Sequence, residues 1–133
     1  PAGGGASATS IYRVGAYTTA APSASAIVTS DPNLSFPGGL AVGPDGKVYA
    51  ADLSAFNGGA TSRVFRFTTA GAAEGVVADL TALANTNADP ALDPQFPSGL
   101  AFTPDGRLLI AGLGPDYPFN GGPSGGVFVF APQ

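Results

Sequence analysis

With 133 residues, five basic and nine acidic side chains, a net charge of −4 and charged residues at only 11%, the chain is long enough for one domain with a core, and it is mildly acidic. It contains no cysteine, histidine, methionine or tryptophan, which excludes a Ser-His-Asp triad, a Cys-His nucleophile, a haem site and a Cys/His zinc site. Arg13, Lys47, Arg63, Arg66 and Arg107 are scattered instead of striped, which argues against nucleic acid and against an anionic membrane surface as partners, and no run approaches the roughly 20 apolar residues of a membrane span.

Residues 1–10, rich in Gly, Ala and Ser, lack the charged and apolar parts of a signal peptide and read as a flexible tail. Residues 11–133 then form the domain. Ile11-Tyr12-Arg13-Val14 alternates large apolar and polar side chains as a half-buried strand does. Val64-Phe65-Arg66-Phe67 and Val127-Phe128-Val129-Phe130 have the same length and aromatic placing. The first two are followed by turns, Tyr17 to Ala21 and Thr68 to Gly71, and then by β-branched strands at Ala26 to Thr29 and Gly75 to Ala78. A helical turn is an option only between Val76 and Ala84.

The stretch Phe36-Pro37-Gly38-Gly39-Leu40-Ala41-Val42-Gly43-Pro44-Asp45-Gly46 returns as Phe96-Pro97-Ser98-Gly99-Leu100-Ala101-Phe102-Thr103-Pro104-Asp105-Gly106. In each copy proline fixes φ, aspartate offers its side chain to nearby amides and glycine takes positive φ, so each splits into a tight hairpin. The strand before the turn, Gly39 to Val42, is small and apolar on both faces, as expected of a strand crowded at the centre of an assembly. Naming the strands of one repeat A to D, the chain reads C, D, then A, B, C, D, then A, B, C. That order predicts an all-β architecture of nine antiparallel strands: a half repeat at 11–35, a full one at 36–95 and a partial one at 96–133.

At residues 36–52 and again at 96–111 the sequence resembles the NHL and gluconolactonase-like β-propeller superfamily, whose blades carry this Pro-x-Gly-Leu-Ala-x-x-Pro-Asp-Gly hairpin followed by a Val-aromatic-Arg-aromatic strand. The resemblance implies propeller-like blades of four antiparallel strands, of which this chain encodes about two and a half against the roughly six of whole rings. Fewer than three repeats do not bury both faces of their sheets, so the ring is expected to be incomplete within one chain. Gluconolactonase-type members hold a central metal through Glu and Asn or Asp side chains from several blades. Here the single glutamate, Glu74, falls in a C to D turn, and Gly112 stands where the first full blade has Asp52.

The long connections, 53–62, 78–95 and 113–126, are all expected on one face, and most of the acidic residues go with them. Two of them share Phe-Asn-Gly-Gly, at Phe56-Asn57 and Phe119-Asn120. This pair reads either as an aromatic platform beside an amide, suited to a sugar or a protein, or as a loop plug with an Asn-Gly turn. Tyr117, beside Asp116, is the best exposed aromatic anchor. Asp31, Asp52 and Asp93 are the calcium candidates, since hard cations take carboxylate oxygen, although Asp-Pro at 31–32 and 93–94 also starts turns. No other cofactor is implied. Arg13 and Arg66 are expected to point outward between aromatics. Three functions follow: a secreted or cell-surface structural or interaction module completed by self-association or by another chain, a metal-dependent lactonase- or esterase-like enzyme fragment, and a carbohydrate-binding propeller. The first is preferred, because the strand order leaves C and D unpaired at one end and A to C without D at the other, and such edges recruit strands.

Overall fold

The computed structural model describes residues 10–15, 18, 20–21, 23–29, 31–32, 34–53, 62–80, 95–113 and 126–131. Within these residues the protein is all-β, with no helix. Its strands are β1 (Ser10–Gly15), β2 (Ser23–Thr29), β3 (Pro37–Val42), β4 (Val48–Asp52), β5 (Arg63–Phe67), β6 (Ala73–Asp79), β7 (Gln95–Phe102), β8 (Leu108–Leu113) and β9 (Gly126–Phe130). They pair antiparallel in three sheets, β1-β2, β3-β4-β5-β6 and β7-β8-β9. Every strand expected from alternation is present, and several run one to three residues further than the apolar pattern suggests. Glu74 is inside β6 and not in the turn before it, and the helical option beyond Asp79 falls outside the described residues from Thr81 onward.

The two Pro-Asp-Gly hairpins close identically. Gly46 and Gly106 take φ of 76° and 87°, their N–H groups donate to the carbonyls of Gly43 and Thr103 at 2.9 Å, and Gly43 and Thr103 N–H donate to Lys47 and Arg107 carbonyls at 2.9 Å. This is a type I turn completed by a left-handed glycine, a connection whose twist suits the flanking strands. The β5–β6 connection repeats it with Gly71 at φ 89°. One hairpin differs in its side-chain support. Asp45 Oδ1 accepts the Lys47 N–H at 3.1 Å, whereas in the other the Thr103 hydroxyl accepts the Arg107 N–H at 2.9 Å.

Alternation along β4 and β5 sends side chains to two interfaces. Val48, Ala50, Phe65 and Phe67 face the first sheet and pack with Ile11, Val28 and Leu34. Tyr49, Ala51 and Val64, with Ala78 and Leu80, face the third and pack with Leu108 and Ile110. The middle sheet is therefore buried on both sides along these strands, with all five residues of β4 buried. Close packing at the second interface depends on glycine. A Cβ on Gly39 would stand 3.0 Å from Gly99 Cα and 3.0 Å from the Ser98 carbonyl oxygen, so β3 and β7 approach through bare backbone.

One expectation is corrected here. β3 is crowded on its Gly39 face alone, while Leu40 and Val42 on the other face remain 51% and 67% exposed. Their counterparts in β7, Leu100 and Phe102, are half-buried and packed against the second core. The reason is that, among the described residues, the first sheet has two strands, which cover β4 and β5 and stop short of β3.

Candidate functional site

At the turn end of the second interface, four elements bring a polar cluster together. The Tyr49 hydroxyl donates to Asp45 Oδ2 at 3.0 Å, and Lys47 Nζ donates to both oxygens of Glu74 at 2.6 Å. Arg66 Nε lies 2.9 Å from Glu74 Oε2, but it is buried and not aligned for a hydrogen bond. Register makes the cluster: Tyr49 sits directly opposite Arg66, and Arg66 directly opposite Gly75, next to Glu74.

The titrations follow from these contacts. The hydrogen bond from Lys47 holds Glu74 below its ordinary value against partial desolvation, with the Lys47 and Arg66 charges adding to it. Desolvation pushes Asp45 up, but the Lys47 N–H, the Tyr49 hydroxyl and the two nearby cations outweigh it and leave this carboxyl lowered. Burial raises the Tyr49 phenol. The neighbouring Tyr49 hydroxyl raises Arg66. All four groups thus keep their neutral-pH charge states.

A cavity of about 370 Å³ opens beside this cluster, walled by Tyr49, Arg66, Val77, Phe102, Leu108 and Phe130. Tyr49 meets Phe102 edge to face, with ring centroids 4.7 Å apart and planes at 69°, a geometry that rings favour. The arrangement pairs an aromatic wall with charges that already neutralise one another, which suits packing and recognition. Arg66 is corrected by it: the side chain turns into this interface and not outward. Arg13 is exposed, and its Nη2 donates to the Thr69 carbonyl at 3.4 Å. The cluster belongs to the middle repeat alone, since Leu109 and Val129 occupy the places of Tyr49 and Arg66 in the third sheet. That departure from the repeat was the available sequence signal.

Of the residues chosen from the sequence, Phe56, Asn57, Asp93, Asp116, Tyr117, Phe119 and Asn120 lie outside the described residues. Asp31 is half-buried, and its carbonyl accepts the Leu34 N–H at 3.2 Å. Asp52 is 1% exposed, and its Oδ1 accepts from the N–H groups of Ser35 at 3.2 Å and Phe36 at 2.7 Å. Its carboxylate thus ties the segment entering β3 to the end of β4. Among the described residues no three acidic side chains gather as a metal site would require.

Apolar side chains are uncovered at both ends of the stack. On the first sheet Tyr12 and Val14 alternate with buried Ile11 onto the outer face, and on the third Val127 and Val129 do the same opposite Phe128 and Phe130; all four are more than half exposed. Clustered exposure of this kind marks a contact surface more often than an isolated apolar residue does. No helix among the described residues is long and apolar enough to cross a membrane. The chain matches no protein-family model and no curated protein.

Proposed function

We propose that the chain is a secreted or cell-surface structural or protein-interaction module, built of propeller-like blades whose ring is incomplete within these residues and is finished by self-association or by another chain. The carrying observation is the contrast between β4 and β5 of the middle sheet, buried on both sides, and the two end sheets, each with a bare apolar outer face. A propeller-like reading is supported by the glycine-to-glycine approach of β3 and β7, the first strands of successive sheets, because blades converge where their inner strands meet. Sheets that cover one another in series generate head-to-tail contacts, which close into rings or continue as filaments.

The test is the native mass of the purified chain by light scattering and native mass spectrometry across a dilution series. A multimer is expected, and the double substitution Tyr12→Lys with Val14→Lys, on the exposed outer face of the first sheet, lowers its mass. A folded monomer at every concentration, with no apolar surface lost to a partner, refutes the proposal.

A further inference from the structure

We propose that two copies of this chain join by strand exchange: β1 and β2 of one copy take the place of β9 beside β8 of the next, forming a four-stranded sheet β7-β8-β1-β2. The inference rests on the preceding reading and specifies its contact.

The middle sheet supplies the template, because it contains all four strands of a repeat. There β5 pairs with β4 in the register Tyr49 to Arg66 and Ala51 to Val64. In the third sheet β9 is the counterpart of β5, with Leu109 opposite Val129 and Ala111 opposite Val127. β1 is the other counterpart of β5, with Arg13 in the place of Arg66, and among the described residues it pairs with β2 alone. Among the described residues no strand pairs with its second edge, and an open edge of this kind recruits a strand. The β8 edge and the β1 edge are therefore halves of one ladder, and β9 and β1 compete for the same position.

Exchange accounts for the pattern of exposure. In the joined sheet, Tyr12 and Val14 take the places of Phe128 and Phe130 against the second interface of the copy that provides β8. On the opposite face, β8 presents Leu109 and Ala111, the counterparts of Tyr49 and Ala51. Within one chain Tyr49 and Ala51 belong to the core that holds Leu100 and Phe102 of β7; across the exchange Leu109 and Ala111 do the same for Leu40 and Val42 of β3. These two residues border an apolar groove of about 320 Å³ whose other wall includes Ile11, Tyr12 and Ile27. One contact thus covers Tyr12, Val14, Leu40 and Val42, four of the eight large apolar side chains that are exposed in the single chain. Backbone hydrogen bonds lost from β9 are regained with β1, and Tyr12 and Val14 replace the packing of the displaced Phe128 and Phe130, so the burial added by the exchange is that of Leu40 and Val42. Each copy donates β1-β2 at one end and accepts at the other, so the contact is open-ended, as in swapped assemblies.

The absence of cysteine makes the test direct. One preparation carries Arg13→Cys and another Leu109→Cys, positions that face one another in the exchanged ladder at disulfide distance. They are mixed, allowed to equilibrate and mildly oxidised. A covalent dimer containing one chain of each kind is expected. As a second readout, the thiol of Val42→Cys in the assembled particle is expected to react with a maleimide at least tenfold more slowly than that of Ala70→Cys in an exposed turn. A multimer that gives no mixed dimer, or in which both thiols react at the same rate, overturns the exchange and leaves the self-association reading standing. A monomer by mass overturns both.

Discussion

Replacing Asp52 by alanine removes the acceptor for two backbone donors at once. The carboxylate is fully buried, so water replaces it only in part, and the N–H groups of Ser35 and Phe36 lose this acceptor. Hydrogen bonds to a charged acceptor contribute about 1.5 to 3 kcal/mol each. The 3.2 Å bond belongs at or below the bottom of that range, and Ser35 and Phe36 are themselves exposed enough for partial rehydration. A loss of about 2 kcal/mol is therefore expected for Asp52→Ala, and about 1 kcal/mol for Asp52→Asn, which keeps one acceptor oxygen. With a urea dependence of about 1.5 kcal/mol/M, the alanine variant's unfolding midpoint falls by roughly 1.3 M. Urea titration followed by far-UV circular dichroism reads this shift. A midpoint within about 0.3 M of the parent, less than a quarter of the expected shift, would sink the reasoning. So would a wild-type loss of equal size on adding a chelator, because Asp52 would then be serving calcium. The third sheet shows the arrangement without the acid: Gly112 stands opposite Pro97 as Asp52 does opposite Pro37, and there Phe96 sits at φ 45°.

Gly46→Ala and Gly71→Ala separate conformational strain from collision. At Gly46 a Cβ meets nothing within 4 Å, so only the left-handed φ costs, about 1 kcal/mol. At Gly71 the same atom would stand 1.5 Å from the Ile27 carbonyl oxygen, so β2 must move and about 3 kcal/mol or more is lost; equal midpoints in urea for the two variants contradict this. The lowered Glu74 carboxyl gives a pH dependence of known sign. Its stabilisation is fully present above the unfolded-state value, near 4.5, and drains away as pH falls through that value to the lower folded one. Glu74→Gln is expected to flatten this part of the stability curve between pH 6 and 3, which urea midpoints at each pH reveal.

Local chemistry made the strands legible. Period-two alternation at Ile11 to Val14 or Val64 to Phe67, punctuated by Pro-Asp-Gly and Thr-Ala-Gly turns, depends on neighbours in sequence and survives any tertiary arrangement. The polar cluster was not legible, because Asp45, Lys47, Tyr49, Arg66 and Glu74 meet only through the registers of β4 with β5 and of β5 with β6. Arg66 looked like an outward strand position for the same reason: alternation assigns it to a face without telling whether another sheet covers that face. Leu40 and Val42 fail in the opposite direction, being apolar enough for a core while the sheet beside them is two strands wide. Phe56, Asp93, Asp116, Tyr117 and Phe119 of the long connections stand out by their chemistry alone, and they lie outside the described residues.

The double burial of β4 and β5 also bears on how such a chain grows. A sheet whose two sides both meet sheets of the same kind is a spacer: duplicating it in tandem repeats an interface already solved, in small residues such as Ala50 and Ala51. Added copies change the length of the stack and leave the chemistry of its two end faces as it was. Duplication of such a sheet would lengthen the stack within one chain, while the exposed side chains of β1 and β9 stay its two end faces.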